Sequence, residues 1–452
     1  MAGPGSSSIP YATRGRLLLL AGIALALLGL GLAYVAHLVR SLDTPAFHQA
    51  LLARASAAVG TRVQARKVSV SLLRGVTLEG VTIANPPPFK GPLLTADALV
   101  LRYDLSSLLR GRLEVARLSA EKPVLDLAMD QRGVFNYEKL AAARATNASA
   151  GPAALPVELA ISKLSLDGAR IVMRDPRAAL MKVEGAELDS SVRLAQGSVE
   201  GDGKLRVGLL NLADAFFVRD VSAPLHASGG GLKLAPVRAT LAGGSVGGEV
   251  DLRFQQGFRF VATLNVKGAQ LRTLLAEAGA AQGMSGTLVG DAVVEGTGGV
   301  ATLKGKGRVE VQDCRVTHAP LMTLLSNVLR IPELARPDFD ECGGTFTLGA
   351  GRLVNPTLAF KGPTVQLTGH GATRLANLSI DYDMTLALSQ TLARRIPAEE
   401  LRAAFRDRGD GFVTIDFEVT GTTSSPQSDL ALRVGRAAAE SGLRKLLRRR
   451  FF

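Results

Sequence analysis

The pattern closest to a catalytic signature is Gly243-Gly-Ser-Val-Gly247, which fits the G-x-S-x-G nucleophile elbow of serine hydrolases. An elbow works because a strand delivers the serine to a sharp turn and a helix follows, leaving the hydroxyl exposed. Here residues 237–241 and 249–254 both alternate like strands, so the context is a hairpin and Ser245 is expected to do no chemistry. His37, His48, His226, His318 and His370 lie far apart, without an H-x-x-x-H or C-x-x-C companion, so a metal site has no support. Asp338, Asp340 and Glu341 cluster locally but read as solvated loop residues. There is no G-x-x-x-x-G-K-[ST] run, and Gly296-Thr-Gly298 lies between expected strands, not at a strand–helix junction. No catalytic residue, metal or cofactor is expected.

Two cysteines, Cys314 and Cys342, are too few for a disulfide framework. They could form one bridge in an oxidising compartment or remain two buried thiols, and Cα separation decides between these. Charge is unevenly placed. The net +13 includes seven basic residues against Glu440 alone in residues 433–452, a local +6. Within that tail Leu443, Leu446, Leu447 and Phe451 share one helical face, while Arg444, Lys445, Arg448 and Arg449 mostly project elsewhere. That is the pattern of a helix lying in a membrane interface, with a disordered basic tail as the alternative. Anionic lipid is the expected partner of this segment, and nucleic acid is not.

The elements that must position any site begin with residues 17–36, LLLLAGIALALLGLGLAYVA, twenty residues without a charge. As a helix they reach about 30 Å, the thickness of a bilayer's hydrocarbon core. A cleaved signal peptide would have a shorter core and a small residue where Tyr34 stands. Arg14 and Arg16 precede the run with no acid, which places the N-terminus in the cytoplasm and the body across the membrane. The expected order is a cytoplasmic start (1–16), an anchor (17–39), an N-terminal β region with a leading helix (40–143) and a linker (144–156). A middle β region (157–303), a C-terminal region (304–432) and the basic tail (433–452) follow.

Past the anchor, Asp43-Thr44-Pro45 reads as a helix start and Gly60 as its stop. Roughly twenty short strands then alternate apolar with polar or small residues. Helical inserts are expected near 269–278, 319–335 and 389–406, with Pro397-Ala-Glu-Glu opening a fresh acidic turn in the last. Residues 115–127 align with 161–173 as a weak internal repeat of strand, turn and strand. A continuous sheet of that many strands would be on the order of 100 Å long. Its apolar face either packs against a second sheet or lines an open trough, and the pattern alone leaves both open.

Residues 67–127, with Asn85-Pro-Pro-Pro-Phe89 and Leu108-Leu-Arg-Gly-Arg112, resemble the start of AsmA-family proteins. Residues 305–316, 320–335, 339–346, 351–353 and 364–388, closing with Gly421 and Pro426, resemble the C-terminal region of the same family. Cys314, Cys342 and the basic end depart from its pattern. The resemblance, which extends to TamB and other large members, implies a mostly β protein. One N-terminal transmembrane helix would lead into an elongated, curled antiparallel sheet forming an open hydrophobic groove, with a few short helices. It implies a non-enzymatic carrier conveying phospholipid between the inner and outer membranes of a Gram-negative-type bacterium, with the body in the periplasm. Parity then makes Val68, Val70, Leu99, Leu101, Val309, Val311, Val413, Ile415 and Phe417 the expected groove lining. The helices at 44–59 and 439–452 would meet membranes. A structural or chaperone-like periplasmic factor affecting outer-membrane protein assembly is the alternative.

Overall fold

Strand after strand, joined by tight turns, carries the chain in the computed structural model. It describes residues 44–71, 75–103, 114–140, 159–176, 179–195, 198–254, 258–279, 283–297, 299–317, 320–397, 402–436 and 439. Twenty-two strands and four α-helices with defined ends are found among them, and residues 136–140 and 430–436 are also helical. No helix among the described residues is long and apolar enough to cross a membrane. The run at 17–36 and the basic tail from residue 440 lie outside them. The chain divides into two compact units, Met1–Ala239 with Gly248–Val261, and Thr240–Gly247 with Ala262–Phe452.

Unit 1 opens with helix α1 (Pro45–Val59), whose proline takes the first turn and whose cap residue, Gly60, is left-handed at φ 85°. The Gly60 amide donates to the Ser56 carbonyl at 2.9 Å, closing the last turn. Leu51, Ala55 and Val59, spaced by four, are buried along one stripe. The strands are β1 (Val63–Gln64), β2 (Lys67–Ser71), β3 (Gly75–Ala84), β4 (Pro92–Tyr103), β5 (Glu114–Glu121) and β6 (Val124–Ala128). They continue with β7 (Leu159–Arg174), β8 (Ala179–Ala195), β9 (Ser198–Leu212) and β10 (Phe216–Ser228). From β2 to β5 and from β7 to β10, neighbours pair antiparallel in chain order.

The junction corrects the expectation of a wholly antiparallel sheet, because β7 runs parallel to both β5 and β6. Its register matches the internal repeat, with Val115 opposite Ile161 and Leu127 opposite Met173. The two copies of the repeat therefore lie side by side. A parallel neighbour needs a crossover of a dozen or more residues, and residues 129–158 supply it. Part of that crossover is held by Asn136, which is fully buried and donates to Asn85 Oδ1 (2.8 Å) and to the Asp126 carbonyl (2.7 Å). The Asn85-Pro-Pro-Pro-Phe89 stretch thus serves as a clasp between the β3–β4 connection and the crossover.

Several long strands change face part-way along. In β3 the buried residues are Val76 and Leu78, then Val81 and Ile83, and the phase slips at Gly80 (φ 60°). In β8 they are Val183, then Ala186, with Gly185 (φ 62°) between. A left-handed residue inside a strand reverses which side the next side chain takes, and glycine does this at no steric cost. A Cβ on Gly185 would have open space, its nearest neighbour lying 3.9 Å away at Gly208, so only the backbone opposes it. Gly185→Ala is therefore expected to destabilise the fold by about 1–2 kcal/mol, measured as a lower urea midpoint with unchanged far-UV circular dichroism.

The next strands in the chain are β11 (Gly231–Leu241), β12 (Gly244–Arg253) and β13 (Arg259–Gln270). Unit 2 then has helix α2 (Leu271–Glu277), β14 (Met284–Gly296), β15 (Lys304–Val316) and helix α3 (Pro320–Leu329). After them come β16 (Glu341–Gly349), β17 (Arg352–Lys361), β18 (Val365–Arg374) and β19 (Ile380–Ser389). Helix α4 (Gln390–Ala393), β20 (Arg406–Asp407), β21 (Phe412–Gly421) and β22 (Pro426–Ser428) come next, and residues 430–436 are helical after them. β14 to β19 pair antiparallel in chain order, and β21 pairs with β19.

The helical inserts are shorter than the sequence pattern suggests. α3 ends before Arg330 (φ 55°), and the 3₁₀ turn Pro332–Ala335 follows, because Pro332 cannot donate to a continuing helix. α4 stops after one turn, and β20, which pairs with β21, begins at Arg406, the last residue of the span expected to be helical. The acidic turn expected after Pro397 falls on residues outside those described.

Candidate functional site

Residues paired across a ladder share a face, so the register shows which side chains line up across a sheet. In unit 1 one row begins with Val68, Leu78, Leu99 and Ala120 on β2 to β5. It continues through Leu166, Leu188, Leu205 and Ala223 on β7 to β10. Eight strands are crossed without a polar residue. A second row starts at Val63, Ile83, Leu94 and Leu125 and ends at Ile171, Val183, Leu210 and Val218. Leu166 and Leu205 of the first row pack in one cluster with Ile171, Val183 and Leu210 of the second, so both face the same side. The phase slips at Gly80 and Gly185 make this possible, since without them the second row would point away. Each row crosses eight strands, about 34 Å at 4.8 Å per strand.

The expected groove residues fall on this geometry in pairs. Val68 and Leu99 belong to the first row. Val70 and Leu101 flank it, each opposite Val76. Val68, Leu99 and Leu101 are buried and Val70 is half-buried. Leu51, Ala55 and Val59 of α1 pack in the same cluster as Val68, Leu78 and Leu99, so this end is covered. Farther along, Leu166, Leu188, Leu205 and Leu210 are only half-buried. These β7–β9 positions were not on the expected list. Their alternation is present in the sequence, but the phase slips hide which parity faces in until the register is known.

In unit 2, Val311 and Ile415 stand on one row, joined by Cys342, Phe360, Leu367 and Leu386, and the row continues past Val311 to Leu288 on β14. Val309 and Phe417 share the next row, with Met384 beside Phe417. Val413 pairs with Leu388. Here the apolar face is covered. Met322, Leu325 and Leu329 of α3 share a single core with Val311, Leu386, Ile415 and Phe417, and Phe417 is 1% exposed. Short helices therefore suffice to close the face that the sequence pattern leaves to a second sheet or to a ligand. Between α3 and the sheet remains a cavity of about 360 Å³, lined almost wholly by apolar atoms. Cys314 and Cys342 are bridged, with Cα atoms 6.1 Å apart.

Charged groups occupy the opposite face. Asp416 and Glu418 alternate with the inward Ile415, Phe417 and Val419. Arg433 contacts Glu418 at 2.8 Å and Asp429 at 2.5 Å. The hydrogen bond from its guanidinium to Asp429 raises the Arg433 pKa further. His226 pairs with Asp202 (2.7 Å) and His370 with Asp383 (3.5 Å), on separate strands. Ser245 is the second residue of β12, directly after the turn at Ala242–Gly243, and its hydroxyl lies 3.5 Å from the Lys267 carbonyl. It sits in a strand, not at the strand–helix turn an elbow requires. The tail residues Leu443, Arg444, Lys445, Leu446, Leu447, Arg448, Arg449 and Phe451 lie outside the described residues.

No curated protein and no solved structure matches this chain. Residues 18–211, which include α1 and the strands from β1 through most of β9, match the family model of the AsmA family, so this part of the chain is AsmA-like.

Proposed function

We propose that this protein is a lipid carrier, moving phospholipid between the inner and outer membranes with the acyl chains against the aliphatic rows of unit 1. The observation that carries the reading is the pair of rows themselves, each eight strands wide and without a polar side chain. An acyl chain has no hydrogen-bonding group, so a surface without polar interruption suits it along the whole path. Lateral movement then exchanges one aliphatic contact for an equivalent one, at little cost in free energy.

Further support comes from the AsmA-like character of residues 18–211 and from the disulfide, which belongs to an oxidising compartment such as the periplasm. In this reading residues 17–36 anchor the chain in the inner membrane with the N-terminus in the cytoplasm. The basic tail meets an anionic membrane surface. No catalytic step is involved.

The full chain, purified in mild detergent and extracted for mass spectrometry, is expected to yield phospholipid. Leu188→Asp and Leu205→Asp place a charge in the half-buried part of the first row and are expected to lower the yield several-fold with circular dichroism unchanged. An absence of phospholipid from the wild-type chain would overturn the reading and favour a role in outer-membrane protein assembly without lipid.

A further inference from the structure

The cavity of unit 2 differs in kind from the rows of unit 1, because a helix roofs it. Its floor is the sheet, represented by Leu358, Phe360 and Met384, and its roof is Leu321 and Met322 of α3. The polar lining is nearly nil. Tyr382 contributes its ring, but its hydroxyl is already engaged, donating to Asn355 Oδ1 at 2.8 Å and lying 3.0 Å from Thr373 Oγ1. A headgroup entering this space would lose its hydrogen bonds to water and find no replacements, which makes such an occupant costly.

Size narrows the choice further. At about 360 Å³, the cavity lies near the lower end of the roughly 300–1,000 Å³ range of small-molecule sites. That leaves room for a thin apolar body and little else. Met284, Met322 and Met384 all line it, and unbranched thioether side chains adapt to an occupant of variable length.

The roof is also fastened. Residues 317–340, which contain α3 and the following 3₁₀ turn, connect β15 to β16, with Cys314 two residues before the end of β15 and Cys342 the second residue of β16. The disulfide ties those two strands together, and the backbones of Arg315 and Asp338 pair in an isolated β-bridge beside it. Both cysteines are buried, at 1% and 4% exposure.

We propose that this chamber is a holding site for the end of a single acyl chain, with a disulfide-fastened roof along one side. It deepens the carrier reading above and rests on it. The rows of unit 1 would pass chains along, whereas the chamber would receive one chain and retain it.

The test uses the full chain in mild detergent with a phospholipid bearing a diazirine near the end of one acyl chain. After illumination, adducts are mapped by mass spectrometry. Adducts are expected on Met322, Met384 or Leu321 as well as on the rows of unit 1. Leu358→Trp and Ile380→Trp, at half-buried lining positions, fill the chamber and are expected to reduce chamber adducts at least fivefold while leaving unit 1 adducts unchanged. Should either variant fail to fold, excess unlabelled palmitate added to the wild-type chain serves instead and is expected to suppress the chamber adducts. Labelling confined to unit 1, or chamber labelling that neither tryptophan nor palmitate diminishes, would overturn the proposal and leave the carrier reading standing. No labelling anywhere, together with no co-purified phospholipid, would remove both.

Discussion

Phe417→Asp is expected to unfold unit 2. Phe417 is 1% exposed and lies in the core that the sheet shares with α3. Removing a buried phenylalanine ring costs about 3–5 kcal/mol, and burying a carboxylate without a partner adds several more. Whole domains are stable by only about 5–15 kcal/mol, so the sum consumes most or all of the stability. Thermal denaturation followed by circular dichroism should show part of the cooperative transition missing, with protease cutting within residues 262–452. The contrast with Leu188→Asp matters, because both substitutions put a charge on an apolar sheet face. Leu188 is half-buried, so its carboxylate keeps contact with solvent and the fold survives. Unfolding in one case and retention in the other would separate a roofed face from an accessible one.

The second large effect concerns the bridge. Changing both Cys314 and Cys342 to alanine is expected to destabilise unit 2 by about 3–4 kcal/mol, the chain-entropy value for the 28-residue separation it closes. Alanine avoids leaving an unsatisfied hydroxyl where each sulfur was buried. The reading is a lower urea midpoint for unit 2 with the transition of unit 1 unmoved. Alkylation of the unfolded wild-type chain gives an independent check. Without reductant neither cysteine should react, and after reduction both should. Reaction of both without reductant would show two free thiols and withdraw the support the bridge lends to a periplasmic body.

Much of the fold was readable from residue order. Alternation marked most strands, Pro45 and Gly60 bounded α1, and the strand context of Ser245 argued against an elbow from sequence alone. These features are local, set by side-chain period, by proline's missing amide and by glycine's access to positive φ. The repeat was visible too, but its meaning was not. That residues 115–127 and 161–173 are parallel neighbours depends on a crossover whose path no local signal encodes.

The site was less legible, for two physical reasons. Parity names a face only up to the next slip, and left-handed residues such as Gly80 and Gly185 reverse it inside a strand. Leu166, Leu188 and Leu205 could therefore be placed in one row with Val68 and Leu99 only through the pairing register. Burial, in turn, depends on what lies above a side chain. Val68 and Phe417 look alike as inward strand residues, yet α1 covers one and α3 the other, while the β7–β9 positions stay half-open. The aliphatic character of these faces was written in the sequence. Which stretch of them lies accessible, and where a fastened helix covers the sheet instead, was decided only by long-range contacts in the folded chain.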